Sequence, residues 1–296
     1  MKLTKTFVLM LALVSCKPNT NELESLRSEI LEEFQKHEGT FGVAYKNLET
    51  GEELYINENE VFHAASTMKT PVMIEVFKQA AEGKLHLNDS IEIKNTFSSI
   101  VDSSSYRLHV EDDSENELYD LIGTKRLLSD LVYDMIIVSS NLATNIVIEL
   151  VDAKKVTNTM RTLGAKDIQV LRGVEDQKAF DNGLSNTTTP LDLMIIFEKM
   201  AKGEAVNKES DERMIEILLD QKYNEIIPGN LPTEVKVAHK TGWIRGVHHD
   251  SALVILPDGK KYVLVLLSKE LMDEDNAVAS MAKVSRLIYD HVVSEK

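Results

Sequence analysis

Strand-like alternation is confined to the two ends of this chain, and that separation limits the folds open to it. Near the start Phe41, Val43 and Tyr45 alternate with smaller residues, Glu49-Thr50-Gly51-Glu52 supplies a turn, and Leu54 to Ile56 begins a return strand. Near the end Val235 to Lys240, Ser251 to Leu256 and Tyr262 to Ser268 predict three more strands, with Asp258-Gly259 turning between the last two. The long middle carries helical spacing instead, over 67–82, 124–138, 141–152 and from Pro190 to Met200, where the proline sits in a first turn. Helices over 22–36 and from Asn276 to Val293 bracket the whole. Strands joined by short turns pair antiparallel. The expectation is therefore an α/β fold of the α+β type: a five-stranded antiparallel sheet flanked by helices, split by an all-helical insertion. The expected division is 22–66 with 205–296 for the sheet domain and 67–204 for the helical one. A cleft between such halves is a natural ligand site.

The first residues read as an address. Lys2 and Lys5 precede an apolar run, Phe7 to Val14, that is too short to span a bilayer. It ends in Leu13-Val14-Ser15-Cys16, which resembles a bacterial lipoprotein cleavage box; an ordinary signal peptide that happens to contain a cysteine is the alternative. We expect residues 1–15 to be removed, Cys16 to be lipidated, and residues 16–21 to form a polar tether. Cys16 is the one cysteine in the chain, so no internal disulfide can form. The net charge of -15 repels nucleic-acid backbones, which argues against a nucleic-acid partner. Membrane contact is expected through the lipid anchor alone, on a monomer.

Three short motifs follow in order: Ser66-Thr67-Met68-Lys69, Ser139-Ser140-Asn141 and Lys240-Thr241-Gly242. Each alone is weak, since a serine three residues before a lysine can be a helix start, Ser-Ser-Asn a helix cap and Lys-Thr-Gly a turn. The physics of the first is direct. A serine hydroxyl needs a base, and residues i and i+3 share one helix face, so Lys69 can reach Ser66. Pro71 is tolerated only near a first turn, which places the helix start close to Ser66, where free N–H groups favour negative charge.

The three motifs together resemble those of the class A β-lactamase-related, penicillin-recognising serine hydrolases, over roughly residues 40 to 290. Around the second motif the similarity extends to Ala143 and Asn145. A fourth segment, Leu171-Arg172-Gly173-Val174-Glu175-Asp176 with Asn186-Thr187-Thr188-Thr189-Pro190 after it, is similar to the omega loop of that family. The resemblance implies an acyl-enzyme on Ser66, with Lys69 and Ser139 handling protons. Asn141 would meet a substrate carbonyl, Lys240 and Thr241 a substrate carboxylate. The Trp243 N–H would complete an oxyanion hole with that of Ser66, and Glu175 would hold the hydrolytic water. It implies a small-molecule β-lactam or a peptidoglycan-like peptide as substrate, no cofactor, and a periplasm-facing place in the bacterial envelope. A D-alanyl-D-alanine peptidase and a non-turnover envelope binding protein are the rival readings.

The departures from the family pattern concern deacylation. Ser140 stands where an Asp is usual, so a hydrogen-bonding carboxylate is missing. Glu175 follows Arg172 by three residues, where two is usual, and Asp176 beside it is the rival base. Ala179 stands where an amide is usual, and Ser185-Asn186 where an Arg and an Asp are. By its distance from Lys240, His249 matches a position often held by a carboxylate-binding Arg, with a strand-end histidine as the plain alternative. No metal site is expected: in a strand His248 and His249 point to opposite faces. Acidic 88–118, including Asp112-Asp113-Ser114-Glu115, lacks the ligand spacing of a calcium loop and reads as a long solvated loop.

Overall fold

The structure, a computed structural model, describes residues 20–294; the leader, Cys16 and the first part of the tether lie outside the described residues. The expected sheet is present. Strands β1 (Thr40–Asn47), β2 (Glu53–Ile56), β3 (Lys236–Ile244), β4 (Val247–Ile255) and β5 (Lys261–Lys269) form one antiparallel sheet in the order β2-β1-β5-β4-β3. The last strand of the chain thus inserts between the two strand groups, and β3 is left as an edge.

Each strand divides its residues between two cores. Phe41, Val43 and Tyr45 of β1 join Leu264 and Leu266 of β5 in a cluster under α1 (Thr20–Phe34) and α9 (Glu274–Ser294). The intervening Ala44, with Val263, Val265 and Leu267, faces the opposite way, into an apolar cluster that runs on into the helical region. The small residues of β1 have a reason: a side chain added at Gly42 would start 2.6 Å from Cγ of Pro190. That proline opens α7 (Pro190–Ala201), whose first turn is capped by Thr189 Oγ1 accepting from the Asp192 N–H at 3.1 Å.

The helical region is built from α2 (Lys69–Ala81), α3 (Leu128–Ile137), α4 (Asn141–Val151), α5 (Ala153–Leu163), the short α6 (Gln177–Asp181) and, after α7, α8 (Lys208–Leu219). Helices α5, α6 and α8 were not expected. In α5 and α8 few apolar residues are buried, Val156 and Met160 in one and Met214 and Leu218 in the other, so the period is sparse. The Lys-Thr-Gly segment also differs from expectation. It does not end a strand; β3 continues through Trp243 to Ile244, and β4 begins at Val247, taking in His248, His249 and Asp250.

Candidate active site

Ser66 lies in a tight 3-10 turn, Ala65–Met68, that feeds directly into α2. Ala65 has φ 44°, a left-handed conformation that costs a non-glycine residue energy and persists only where its surroundings hold it. Here His63 holds it, its Nδ1 accepting the Ala65 N–H at 3.0 Å; burial pushes the His63 pKa down, as an uncharged acceptor requires. The edge strand presses on the same turn. A Cβ at Gly242 would sit 3.1 Å from the backbone nitrogens of both Ser66 and Thr67, so a side chain there would press the turn away by a few tenths of an ångström, and glycine suits this close approach of β3. The Ser66 turn and the Gly242-Trp243 backbone are thereby adjacent at one end of a cleft of about 390 Å³. That cleft is also lined by Asn141, Glu175, Phe180 and Arg245.

Behind Ser66, four elements converge. Lys69 is fully buried on α2 and donates to Ser139 O (2.7 Å), Ser139 Oγ (3.1 Å) and Asn141 Oδ1 (2.9 Å). Lys240, equally buried on β3, donates to the same Ser139 Oγ at 3.1 Å and to Thr241 O at 3.0 Å. Asn141 Nδ2 donates to Glu175 Oε1 at 2.8 Å. The result is one hydrogen-bonded chain, Lys240–Ser139–Lys69–Asn141–Glu175. Ser139 joins it from the turn between α3 and α4, at φ 59°, and Glu175 from the omega loop, at φ 60°. Three of the left-handed non-glycine residues are thus Ser139, Glu175 and the neighbour of Ser66, which is where stored strain is expected when side chains must be aimed.

The charges in this chain are strongly shifted. Burial pushes Lys69 down to about 7, against the pull of Asp113 and Glu175, which favour its charged form. Burial, with the charge of Lys69 added, drives Lys240 well below the usual lysine range. Glu175 is pushed up by burial and by Asp113 and Asp112, while the Asn141 amide and Lys69 hold it back. An amine near neutrality, with a raised carboxylate one amide away, is an arrangement able to move protons in both directions at neutral pH.

The remaining candidates fall outside this chain. Thr241 is half-buried on β3, paired with Asp250 of β4, and is not among the residues that line the cleft. The Trp243 indole is largely exposed at the mouth and donates to Glu274 Oε2 at 3.1 Å. His249 does not line the cleft. It is fully buried, its Nε2 2.8 Å from His63 O and its Nδ1 2.8 Å from His248 O and 3.2 Å from the Ser268 nitrogen. With both ring nitrogens on backbone and burial lowering its pKa to about 4, His249 has nothing to offer a carboxylate. The exposed cation at the cleft rim is Arg245, in the β3–β4 turn, which spacing from Lys240 did not single out. Among the described residues no group of three or more His, Cys, Asp and Glu is placed to hold a metal.

The omega loop is held by amides, Asn186 and Asn145. Asn186 Oδ1 accepts from Leu171 and Arg172 N–H (2.8 and 3.2 Å), and its Nδ2 donates to Arg172 O at 2.9 Å. The buried Arg172 donates to two carbonyls, Leu184 O and Gly173 O, both at 2.9 Å. Asn145 grips Val174 at both ends, accepting from its N–H at 2.6 Å and donating to its O at 3.0 Å; Gly173 is required, because a Cβ there would lie 2.2 Å from Asn145 Oδ1. So the position two after Arg172 is pinned as Val174, and the left-handed turn at Glu175 brings the next side chain to Asn141. Asp176 is spent on structure: its oxygens accept from Ser99 Oγ, the Ala179 N–H and the Ile100 N–H at 2.9–3.1 Å.

Asp113 was expected in a solvated loop and is instead at the site, its carboxylate on the N–H groups of Asn141 and Leu142. Nothing local in Asp112-Asp113-Ser114-Glu115 signals this, since the partner lies 28 residues on.

The chain is similar to known proteins over nearly its whole length. A β-lactamase from Bacteroides uniformis is 26% identical over 96% of this chain and 98% of its own. Among solved structures, a β-lactamase from Chitinophaga pinensis superposes with a TM-score of 0.79 at 25% identity, over 90% of this chain and 99% of its own. One from Sphaerobacter thermophilus gives 0.75 at 26%, over 90% and 95%. The pattern of the beta-lactamase enzyme family matches residues 25–292, nearly the whole described chain, and the protein belongs to that family.

Proposed function

We propose that this protein is a serine β-lactamase whose nucleophile is Ser66. The observation that carries the reading is the unbroken Lys240–Ser139–Lys69–Asn141–Glu175 chain beside the turn that presents Ser66. Ser66 Oγ attacks the lactam carbonyl carbon while Lys69, in its neutral form, takes the hydroxyl proton. The carbonyl oxygen becomes an oxyanion facing the N–H groups of Ser66 and Trp243. As the C–N bond breaks, a proton passes from Lys69 through Ser139 Oγ to the leaving nitrogen, and an ester on Ser66 remains. Water, its proton taken by Glu175, then attacks the ester carbonyl carbon; the C–O bond to Ser66 breaks, the ring-opened acid leaves, and the proton returns to Ser66 Oγ. Lys240 and Thr241 meet the substrate carboxylate. The test is incubation of the mature protein with a chromogenic cephalosporin, with intact mass followed alongside. Colour change with a transient single adduct is expected; neither colour nor adduct defeats the reading.

A D-alanyl-D-alanine peptidase is favoured as second reading by one observation, the grip of Asn145 on Val174, which leaves the carboxylate to the following residue. Release of D-alanine from an acyl-D-alanyl-D-alanine peptide, faster than β-lactam turnover, would give it precedence.

If neutral Lys69 is the acylation base, acylation rises with pH through about 7 and is level above. The sign follows from the role: below that pH the amine is protonated and cannot accept. Stopped-flow acylation between pH 5 and 9 checks this, and a flat profile through neutrality removes Lys69 as base.

Lipidation at Cys16 and a place in the bacterial envelope belong to the same proposal, supported by the Leu13-Val14-Ser15-Cys16 box. Wild type should partition with membranes and Cys16→Ala should not; equal solubility of the two would remove the anchor.

A further inference from the structure

We propose that Asp113 is a positioning residue for this chemistry, supplying from a distant loop the carboxylate that Ser140 lacks and so holding Asn141 against Lys69 and Glu175. The inference rests on Ser66 being the acylated residue. Helix α4 begins at Asn141, and its first N–H groups have no partners within the helix. Ser140 Oγ takes one of them, that of Ala143, at 3.2 Å. Asp113 takes the two before it: the Asn141 N–H lies 2.9 and 3.0 Å from its two oxygens, and the Leu142 N–H 2.9 Å from Oδ2. A hydroxyl would bring no charge; a carboxylate brings a second oxygen and a negative charge, which is favoured at a helix start.

The other side of the same turn is held from the next residue. Ser114 Oγ lies 2.8 Å from Val138 O and 3.2 Å from Ser139 O, within donating distance of both. Asp113 and Ser114 thus clamp both edges of the turn that carries Ser139 at its left-handed φ of 59°. Asp113 is itself fixed, Oδ2 accepting from Tyr119 OH at 2.9 Å and Oδ1 from the Glu115 N–H at 3.3 Å. The clamp matters because Asn141 joins the two halves of the catalytic chain: Oδ1 on Lys69 and Nδ2 on Glu175 are set by where its backbone sits. The charge of Asp113 also favours protonated Lys69, against burial.

The test compares wild type, Asp113→Asn, and Asp113→Asn combined with Ser140→Asp, by penicillin acylation over pH and by amide exchange at Asn141 and Leu142. Asn at 113 should speed exchange at those two amides and slow acylation on the order of a hundredfold, the effect of misplacing a group by about 1 Å. Of the charged groups around Lys69, Glu175 and Lys240 remain and Asp113 is lost, so the acid limb should move to lower pH. Ser140→Asp should restore acylation, because it returns a carboxylate to the helix start. Acylation at the wild-type rate in Asp113→Asn overturns the proposal. A loss that the second carboxylate does not recover assigns Asp113 to the fold alone and overturns it as well. Should wild type take up no penicillin, the reading of Ser66 falls by itself, and unchanged exchange at Asn141 and Leu142 would then dispose of the clamp.

Discussion

Ser66→Ala is expected to remain unmodified by penicillin under conditions in which wild type gains the mass of one molecule. The loss in turnover should be on the order of 10⁶, the scale on which hydrolases fail when a nucleophile is deleted from an otherwise intact assembly. The size follows from how little else can substitute. The other serine of the site, Ser139, has its oxygen between two lysine amines at 3.1 Å each, and both Lys69 and Lys240 are buried, so it serves as a conduit and is poorly placed to attack. Ser66 alone combines the cleft, the turn adjoining Gly242 and Trp243, and a helix start that favours developing negative charge. The fold should survive the change, because Ser66 is not part of the buried core and the turn is held by the His63–Ala65 and Thr67–Ala64 bonds. Unchanged thermal stability beside a complete loss of adduct is the expected pair of results. An adduct of the same mass on Ser66→Ala moves the nucleophile elsewhere.

What could be read from the sequence was the part carried by local pattern. The strands announced themselves because each has two buried faces or one, and the alternation of Phe41, Val43 and Tyr45 against Gly42 and Ala44 is the difference between the α1/α9 core and the close approach of Pro190. Spacing placed Lys69 one turn from Ser66; in the structure its amine is directed at Ser139 and Asn141. Helices α5 and α8 escaped because amphipathic period needs apolar residues to be counted, and these bury two each.

The site features that were not legible are those made across the fold. Asp113 meets Asn141 from a separate loop, and its sequence neighbours are as acidic and exposed as any solvated stretch. His249 aligned by spacing with a cleft position, but β4 begins earlier than its pattern suggested, and the pairing of His249 with Gly242 turns the ring into the interior. Left-handed φ at Ala65, Ser139 and Glu175 has no signature in residues of these types; at Ser139 and Glu175 the side chains are held by partners far along the chain.

Glu175→Gln is expected to leave acylation within a few-fold of wild type and to let the acyl-enzyme accumulate, deacylation falling about 10²- to 10⁴-fold, the range for loss of a general base. The substitution is close to isosteric, and a glutamine oxygen can still accept from Asn141 Nδ2, so the omega loop and Lys69 should keep their places. What is lost is the ability to take a proton from water. Wild-type turnover should itself be slow, because the loop position gripped by Asn145 is Val174 and the carboxylate arrives from the next residue through a left-handed turn, while Ala179 offers no amide to help hold a water. Because burial and the charges of Asp113 and Asp112 raise the pKa of Glu175, its ionised form, and with it deacylation, should fade as pH drops through a value above that of an ordinary glutamate. Asp176 provides the control. Its carboxylate ties Ser99, Ile100 and Ala179 together, so Asp176→Asn should loosen the loop, costing about 1–3 kcal/mol for the acceptor lost to a buried N–H, and should lower stability more than it alters the ratio of acylation to deacylation. If instead Asp176→Asn traps the acyl-enzyme while Glu175→Gln turns over normally, the base is one residue further along. If neither change slows deacylation, hydrolysis of the ester does not run through this loop, and the peptidase reading gains what the β-lactamase reading loses.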